Sequence, residues 1–367
     1  MKQRASNGRI VGLDLARALA IFGMIIVNYK LAMGAQDAGP YWLRTATGIF
    51  EGRASALFVI LAGIGVSLMT ARARASGEEQ TLKANRKTLY RRAAFLFLAG
   101  IFLLEIGWSA DILHYYAVFI ALSALLLQSS NKRLLAWIIF ILITTVFQLI
   151  FLDYSYGWSE DYHEYVKLWT WSGFVRNLLF NGFHPLFPWL AFFLLGLWLG
   201  RKEWLKRKEA RSRLLVISAS IALLTEVGSR FIVREFTPVL GPEGAQSLFG
   251  SKPMPPNLIY VGAAAASALA VLVLCIQVAE RWKESKWVQA LISTGQLSLT
   301  HYVAHVVIGL APLQWIGMLE NGSVVFSTIY AFLFYITAIA ISLHWKKRYG
   351  RGPLELLMRS WDESNRA

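Results

Sequence analysis

The chain has 367 residues, 56% of them hydrophobic and 14% aromatic, with only 16% charged and a formal net charge of +15. This is too apolar and too poor in charge for an ordinary soluble domain, which is nearer half apolar and a quarter charged. The positive charge sits in loops between apolar runs, so it argues for membrane topology and anionic lipid rather than nucleic acid, and the single cysteine, Cys275, excludes an intramolecular disulfide or a Cys-based metal site.

The apolar residues gather into runs close to the length a helix needs to cross ~30 Å of hydrocarbon. Ten spans are predicted, roughly 10–31, 54–71, 93–109, 111–128, 133–152, 185–200, 212–232, 258–279, 296–313 and 323–343. The fold class expected is therefore all-α, one polytopic membrane bundle over residues 1–367. Helices are required because backbone polar groups in lipid must pair within their own segment, and no run has the period-two polar face of a barrel strand.

The first run, Ile10 to Met33, is too long and too charged for a cleaved signal peptide. At 3.6 residues per turn Asp14, Arg17, Ile21, Met24 and Asn28 share one face. Charges at membrane depth cost several kcal/mol and nearly always face a bundle interior or a wet cavity. The first helix is thus expected to line something. Asp14 and Arg17, three apart, can pair with each other, either as a structural ion pair or as part of a site.

Lys and Arg alternate from side to side along the chain. Of the 37, 28 fall at the N-terminus, in the loops after the second, fourth, sixth and eighth spans, and in the C-terminal tail. This places both termini in the cytoplasm. On the opposite side Glu51 and Arg53 precede the second span, Glu105 closes the third, and Asp111 and His114 open the fourth. Asp111 there is either an N-cap or a partner for His114, which can act as acid, base or ligand near neutral pH. The long loop 153–182 is dense in Tyr and Trp, as suits an interfacial segment. His184 stands before the sixth span, where Pro185 reads as a first-turn proline and puts the histidine at the outer mouth of the bundle. Residues 237–257, with five prolines and three glycines, read as an irregular loop. Ser293 to Gln296 read as a helix start. His301 and His305 follow on one face; without an H-E-x-x-H pattern or an adjacent acid, polar packing or a proton relay fits them better than a metal.

RIVGLDLARALAIFGMIIVN, FEGRASALFVILAGIGVSLMTARA, ADILHYYAVFIALSALLL, HPLFPWLAFFLLGLWLGR, TGQLSLTHYVAH and WKKRYGRGPLELLMRSW resemble, in order, the blocks of the YeiB-like family of bacterial membrane proteins. That family resembles the wider superfamily of transmembrane acyltransferases, which includes lysosomal heparan-alpha-glucosaminide acetyltransferase. The resemblance implies a multi-pass protein of the bacterial inner membrane. It would pass an acyl group, typically from cytoplasmic acetyl-CoA, to a small-molecule or glycan acceptor across the membrane. Two departures stand out. The chain reads Arg17-Ala18 where the family usually has Arg-Gly. Residues 29–55 also contain no histidine, where the heparan enzyme has its catalytic one. His114, His184 and Asp111 are therefore the expected catalytic residues. Asp14, Arg17, Asn28, Arg53, His301 and His305 are the expected substrate- or cofactor-binding residues. The rival reading is a transporter with a path through Asp14, Arg17, His301 and His305; a third is a non-catalytic membrane partner. Membrane lipid is an expected partner, and the pattern is compatible with a homo-oligomer.

Overall fold

Apolar runs that must satisfy their own backbone bonds fold as helices throughout. The computed structural model describes residues 10–36, 39–160 and 162–363, and every regular element among them is helical. The hub is α1 (Gly12–Ala32), with 67% of its most apolar 18 residues buried. Around it pack α3 (Arg53–Met69), entered through the short α2 (Tyr41–Gly48), together with α11 (Leu258–Arg281), α12 (Lys286–Gly295) and α15 (Val324–Tyr349). After α4 (Ala71–Ser76), a second group forms: α5 (Glu79–Glu105) lies against α6 (Leu113–Leu125), and α7 (Asn131–Phe151) against α9 (Leu186–Leu199), with α8 (Trp171–Arg176) in the loop between. On the outside α10 (Lys208–Phe249) leans on α11 with only 11% of its apolar window buried. The broken segment α13 (Ser298–Ala304) and α14 (Ala311–Trp315) follows α12, and α16 (Pro353–Glu363) returns to α5 and α13.

The two groups are joined by glycines. A Cβ on Gly63 of α3 would run into the Phe193 carbonyl oxygen, and one on Gly196 of α9 into the Ile60 carbonyl oxygen. Such reciprocal contact of backbones is how helices associate in lipid, where apolar burial alone gives no net attraction.

Among the described residues, six helical segments are long and apolar enough to cross a membrane: α1, α2 with α3, α7, α10, α11 and α15. A seventh is formed if Trp171–Asn181 and Leu186–Leu199, bent by 47°, are one span. The remaining predicted runs are helical but differ from simple spans. α5 carries its basic cluster inside the helix rather than in a loop, and α6 has 13 residues. The run 296–313 breaks into α13, a π-helical turn over His305–Leu310, and α14. The wider turn is held by tyrosine hydroxyls: Tyr29 donates to the His305 carbonyl at 3.2 Å and Tyr330 to that of Gly309 at 2.8 Å.

Three local expectations change. Residues 237–257 are not loop throughout: α10 continues through Pro238 and breaks at Gly241 (φ +73), and Pro242, preset for a first turn, restarts the helix to Phe249. Residues 293–296 close a helix rather than open one, because Gly295 packs on the Asp14 carbonyl and Gln296 bonds back to α1. In α9, Phe187 is extended (φ −100, ψ 114), so regular helix begins at Pro188 instead of Pro185.

Candidate active site

Asp111 and His114 lie three residues apart at the head of α6, so their side chains meet across its first turn. Asp111 Oδ2 accepts the His114 backbone N–H at 2.9 Å and the ring Nδ1–H at 2.8 Å. The two side chains are 0% and 1% exposed. A carboxylate only accepts, so the nitrogen facing it carries the proton and Nε2 keeps its lone pair. That Nε2 is buried and has no partner among the described residues. The hairpin is tight because α5 presents Gly100 here; a Cβ would meet the His114 amide, with Asp111 Oδ2 at 2.6 Å.

The other oxygen of Asp111 reaches a residue that the sequence pattern did not mark. Tyr302 donates its hydroxyl to Asp111 Oδ1 at 3.2 Å and accepts the Ile112 amide at 2.9 Å. Its carbonyl in turn accepts from His305 Nδ1, leaving His305 Nε2 to accept from Asn28 Nδ2 at 2.9 Å. Asn28, His305, Tyr302, Asp111 and His114 thus form one buried polar chain from α1 through α13 to α6. Low local dielectric strengthens every bond in it and penalises any loss.

His184 stands at the edge of this chain. It is half-buried, its ring 4.6 Å from that of Trp189 and 6.0 Å from that of Tyr115, and Tyr115 separates it from His114. Its Nδ1 has no partner among the described residues. Above lies the aromatic loop, which Asn181 ties together. Its side chain bonds the carbonyls of Tyr154 and Tyr156, each at 2.8 Å, and the Tyr165 hydroxyl at 3.0 Å, while its carbonyl takes Trp158 Nε1 at 2.6 Å.

The opposite end of the bundle is basic. Arg17 and Asp14 pair at 2.5 Å, and Gln296 donates to Asp14 at 3.0 Å. They border a cavity of about 510 Å³ that is also lined by Arg92, Arg351 and Arg359, by Gly65 and Ala62 of α3, and by Leu113 and Tyr116 of α6. Glu355 of α16 also borders it and accepts the amides of Leu299 (2.9 Å) and Thr300 (3.2 Å) and the Thr300 hydroxyl (2.6 Å), so it supplies the start of α13 with an N-cap from elsewhere in the chain. Burial pushes the Glu355 carboxyl above its ordinary range, and those bonds pull it back.

The remaining expected residues lie apart from the Asp111–His114 pair. Arg53 binds Glu226 of α10 at 2.6 Å, and His301 Nε2 lies 2.6 Å from Ser342 Oγ. His301 and His305, expected on one face, have different partners: Ser342 for the first, Asn28 and the Tyr302 carbonyl for the second, where the π-helical turn begins.

Comparison with known families fits this architecture. Residues 9–231 match the family described as heparan-alpha-glucosaminide N-acetyltransferase, catalytic, over more than half of the chain. The chain belongs to that family. Residues 199–364 also match a family described as protein of unknown function (DUF418), the YeiB-like group. No curated protein matches the chain. The N-acetyltransferase match spans Asp14, Arg17, Asn28, Asp111, His114 and His184. Tyr302, His305 and Glu355 fall in the second, so the polar chain draws on both.

Proposed function

We propose that this protein is an integral-membrane acyltransferase. It passes an acyl group, acetyl in the first instance, from a CoA thioester held at the basic end to an envelope glycan or another hydroxyl- or amine-bearing acceptor at the far end. The observation that supports the reading is a buried imidazole oriented by a carboxylate, with an unpartnered Nε2, beside Leu113 of α6, which lines the basic cavity, although His114 itself is not among its lining residues.

The cavity suits such a donor. Arg92, Arg351 and Arg359 present guanidinium groups to phosphates, which they bind with bidentate strength, and the Arg351 side chain has no partner among the described residues. The apolar stretch past Ala62 and Gly65 suits a slender arm. The thioester supplies an activated carbonyl. Everything else falls to the chain. His114 Nε2 takes the proton of the attacking hydroxyl or amine, Asp111 steadies the imidazolium formed, and the ring returns the proton to the departing sulfur. A base of this kind contributes typically 10²–10⁴-fold. Mass spectrometry of envelope glycans and lipids from cells with and without the protein tests the reading: an acetyl increment lost from one species on deletion is expected, and identical profiles would overturn it.

The same reading includes ten membrane passages, with α5, α6 and the α13–α14 segment crossing as part of the bundle. Both termini lie in the cytoplasm of a bacterium and the bundle lies in its inner membrane. The charge asymmetry of the sequence supports it. Gln80→Cys and Lys208→Cys should stay unlabelled by an impermeant maleimide added to intact cells and react after lysis. Labelling from outside would reverse the orientation.

A further inference from the structure

The largest cavity that the catalytic reading leaves unused lies on the flank of the bundle. It is a groove of about 970 Å³ between α10 on one side and α1, α2, α3 and α11 on the other. Six cations face it: Lys30, Arg44, Arg53, Arg230, Arg234 and Lys252. Only two carboxylates do, and both are engaged. Glu51 holds Lys30 at 2.8 Å; Glu226 holds Arg53 at 2.6 Å and Arg230 at 3.3 Å, and also takes the Ser251 hydroxyl at 2.9 Å. Arg234 and Lys252 have no hydrogen-bond or ion-pair partner among the described residues.

The groove changes character along its length. Its wall toward the middle of the helices is made of Ala219, Ala222 and Leu223 of α10 and Ala263, Ala270 and Val271 of α11. The small side chains leave room, and the groove carries no charge there. From Ala219 to Arg234 α10 rises about 22 Å at 1.5 Å per residue, close to the depth of one leaflet with its headgroups, about half of a 40–45 Å bilayer. The other face of α10, with Val216, Leu224 and Val227 exposed, is a surface for lipid to cover.

We propose that this groove is a binding site for an anionic phospholipid, with one acyl chain against the alanine wall and the phosphate between Arg234 and Lys252. A soluble anion would use only the cationic end; a zwitterionic lipid brings the same phosphate, but its headgroup cation offsets the charge that two unpaired cations favour. The inference goes beyond acyl transfer and does not depend on it.

Native mass spectrometry of the full-length protein in detergent tests it. The probes are dioleoyl phosphatidylglycerol, dioleoyl phosphatidylcholine and glycerol 3-phosphate. Phosphatidylglycerol should be retained in preference to phosphatidylcholine. Arg234→Glu with Lys252→Glu, two exposed positions with no partner among the described residues, should weaken its binding at least about twenty-fivefold, since each cation near an anionic lipid is worth roughly fivefold. Ala222→Trp, which fills the apolar end, should weaken both lipids while the protein stays monodisperse. Equal retention of the two lipids, undiminished binding by the charge-reversed protein, or displacement of phosphatidylglycerol by equimolar glycerol 3-phosphate would each overturn the proposal.

Discussion

Replacing His114 by alanine should lower acyl transfer by ~10²–10⁴-fold, the usual cost of removing a general base, with expression and monodispersity unchanged. The companion variant is Asp111→Asn. Asparagine caps helix starts about as well as aspartate, so it preserves the bond to the His114 amide while removing the charge that orients and stabilises the ring. If Asp111 served only as a cap, Asp111→Asn would turn over normally; as part of the site it should lose activity along with His114→Ala. His184→Ala should lose less, because Tyr115 stands between it and His114. The assay is label transfer from acetyl-CoA in proteoliposomes once an acceptor is in hand. Near-normal turnover of both His114→Ala and Asp111→Asn, with abolition by His301→Ala, would move the site to the basic end.

The second large effect is on the fold. Gly63→Leu or Gly196→Leu should prevent assembly of a stable bundle. Each new side chain would start inside the carbonyl of the facing helix, and backbone cannot swing aside as a side-chain tip can. Overpacking of a core costs typically 1–3 kcal/mol; here the helices must separate, so at least ~3 kcal/mol is expected. Loss of the monodisperse peak in detergent, or a sharp fall in its thermal midpoint, reads this out. Gly262→Ala is the control. Nothing lies within 4 Å of its new Cβ, and α11 should gain slightly from the better helix former. Equal behaviour of Gly63→Leu and Gly262→Ala would show that the close approach of α3 and α9 is not what holds the two groups together.

Much of the architecture was legible because membrane helices announce themselves over 16 or more residues. The ten apolar runs are all helical, and Asp14 and Arg17 pair as their spacing allows. Asp111 and His114 were legible for the same reason: their relation is local, one turn of one helix. Tyr302 was not. It sits in T-H-Y-V-A-H between two more conspicuous histidines, and its partner Asp111 is 191 residues away, so no window of sequence holds both. Glu355 escaped for a related reason, since an acid on a charged tail helix looks solvated until the amides of Leu299 and Thr300 appear beside it. The break at His305 was hidden because a π-helical turn needs no proline or glycine at the point where it starts. The residues that free its carbonyls to be useful, Tyr29 and Tyr330, lie on other helices.

The cap that Glu355 places on α13 bears on the order in which the protein is made. A chain threading from a ribosome delivers α1 well before α16, with the helices α2 to α15 between them. Yet one cavity is walled by Asp14 and Arg17 from α1 and by Glu355 and Arg359 from α16. It cannot close while synthesis is under way. Until residue 355 emerges, the amides of Leu299 and Thr300 stay without that carboxylate. The lining of this cavity is therefore complete only once α1 and α16, more than 300 residues apart, have met.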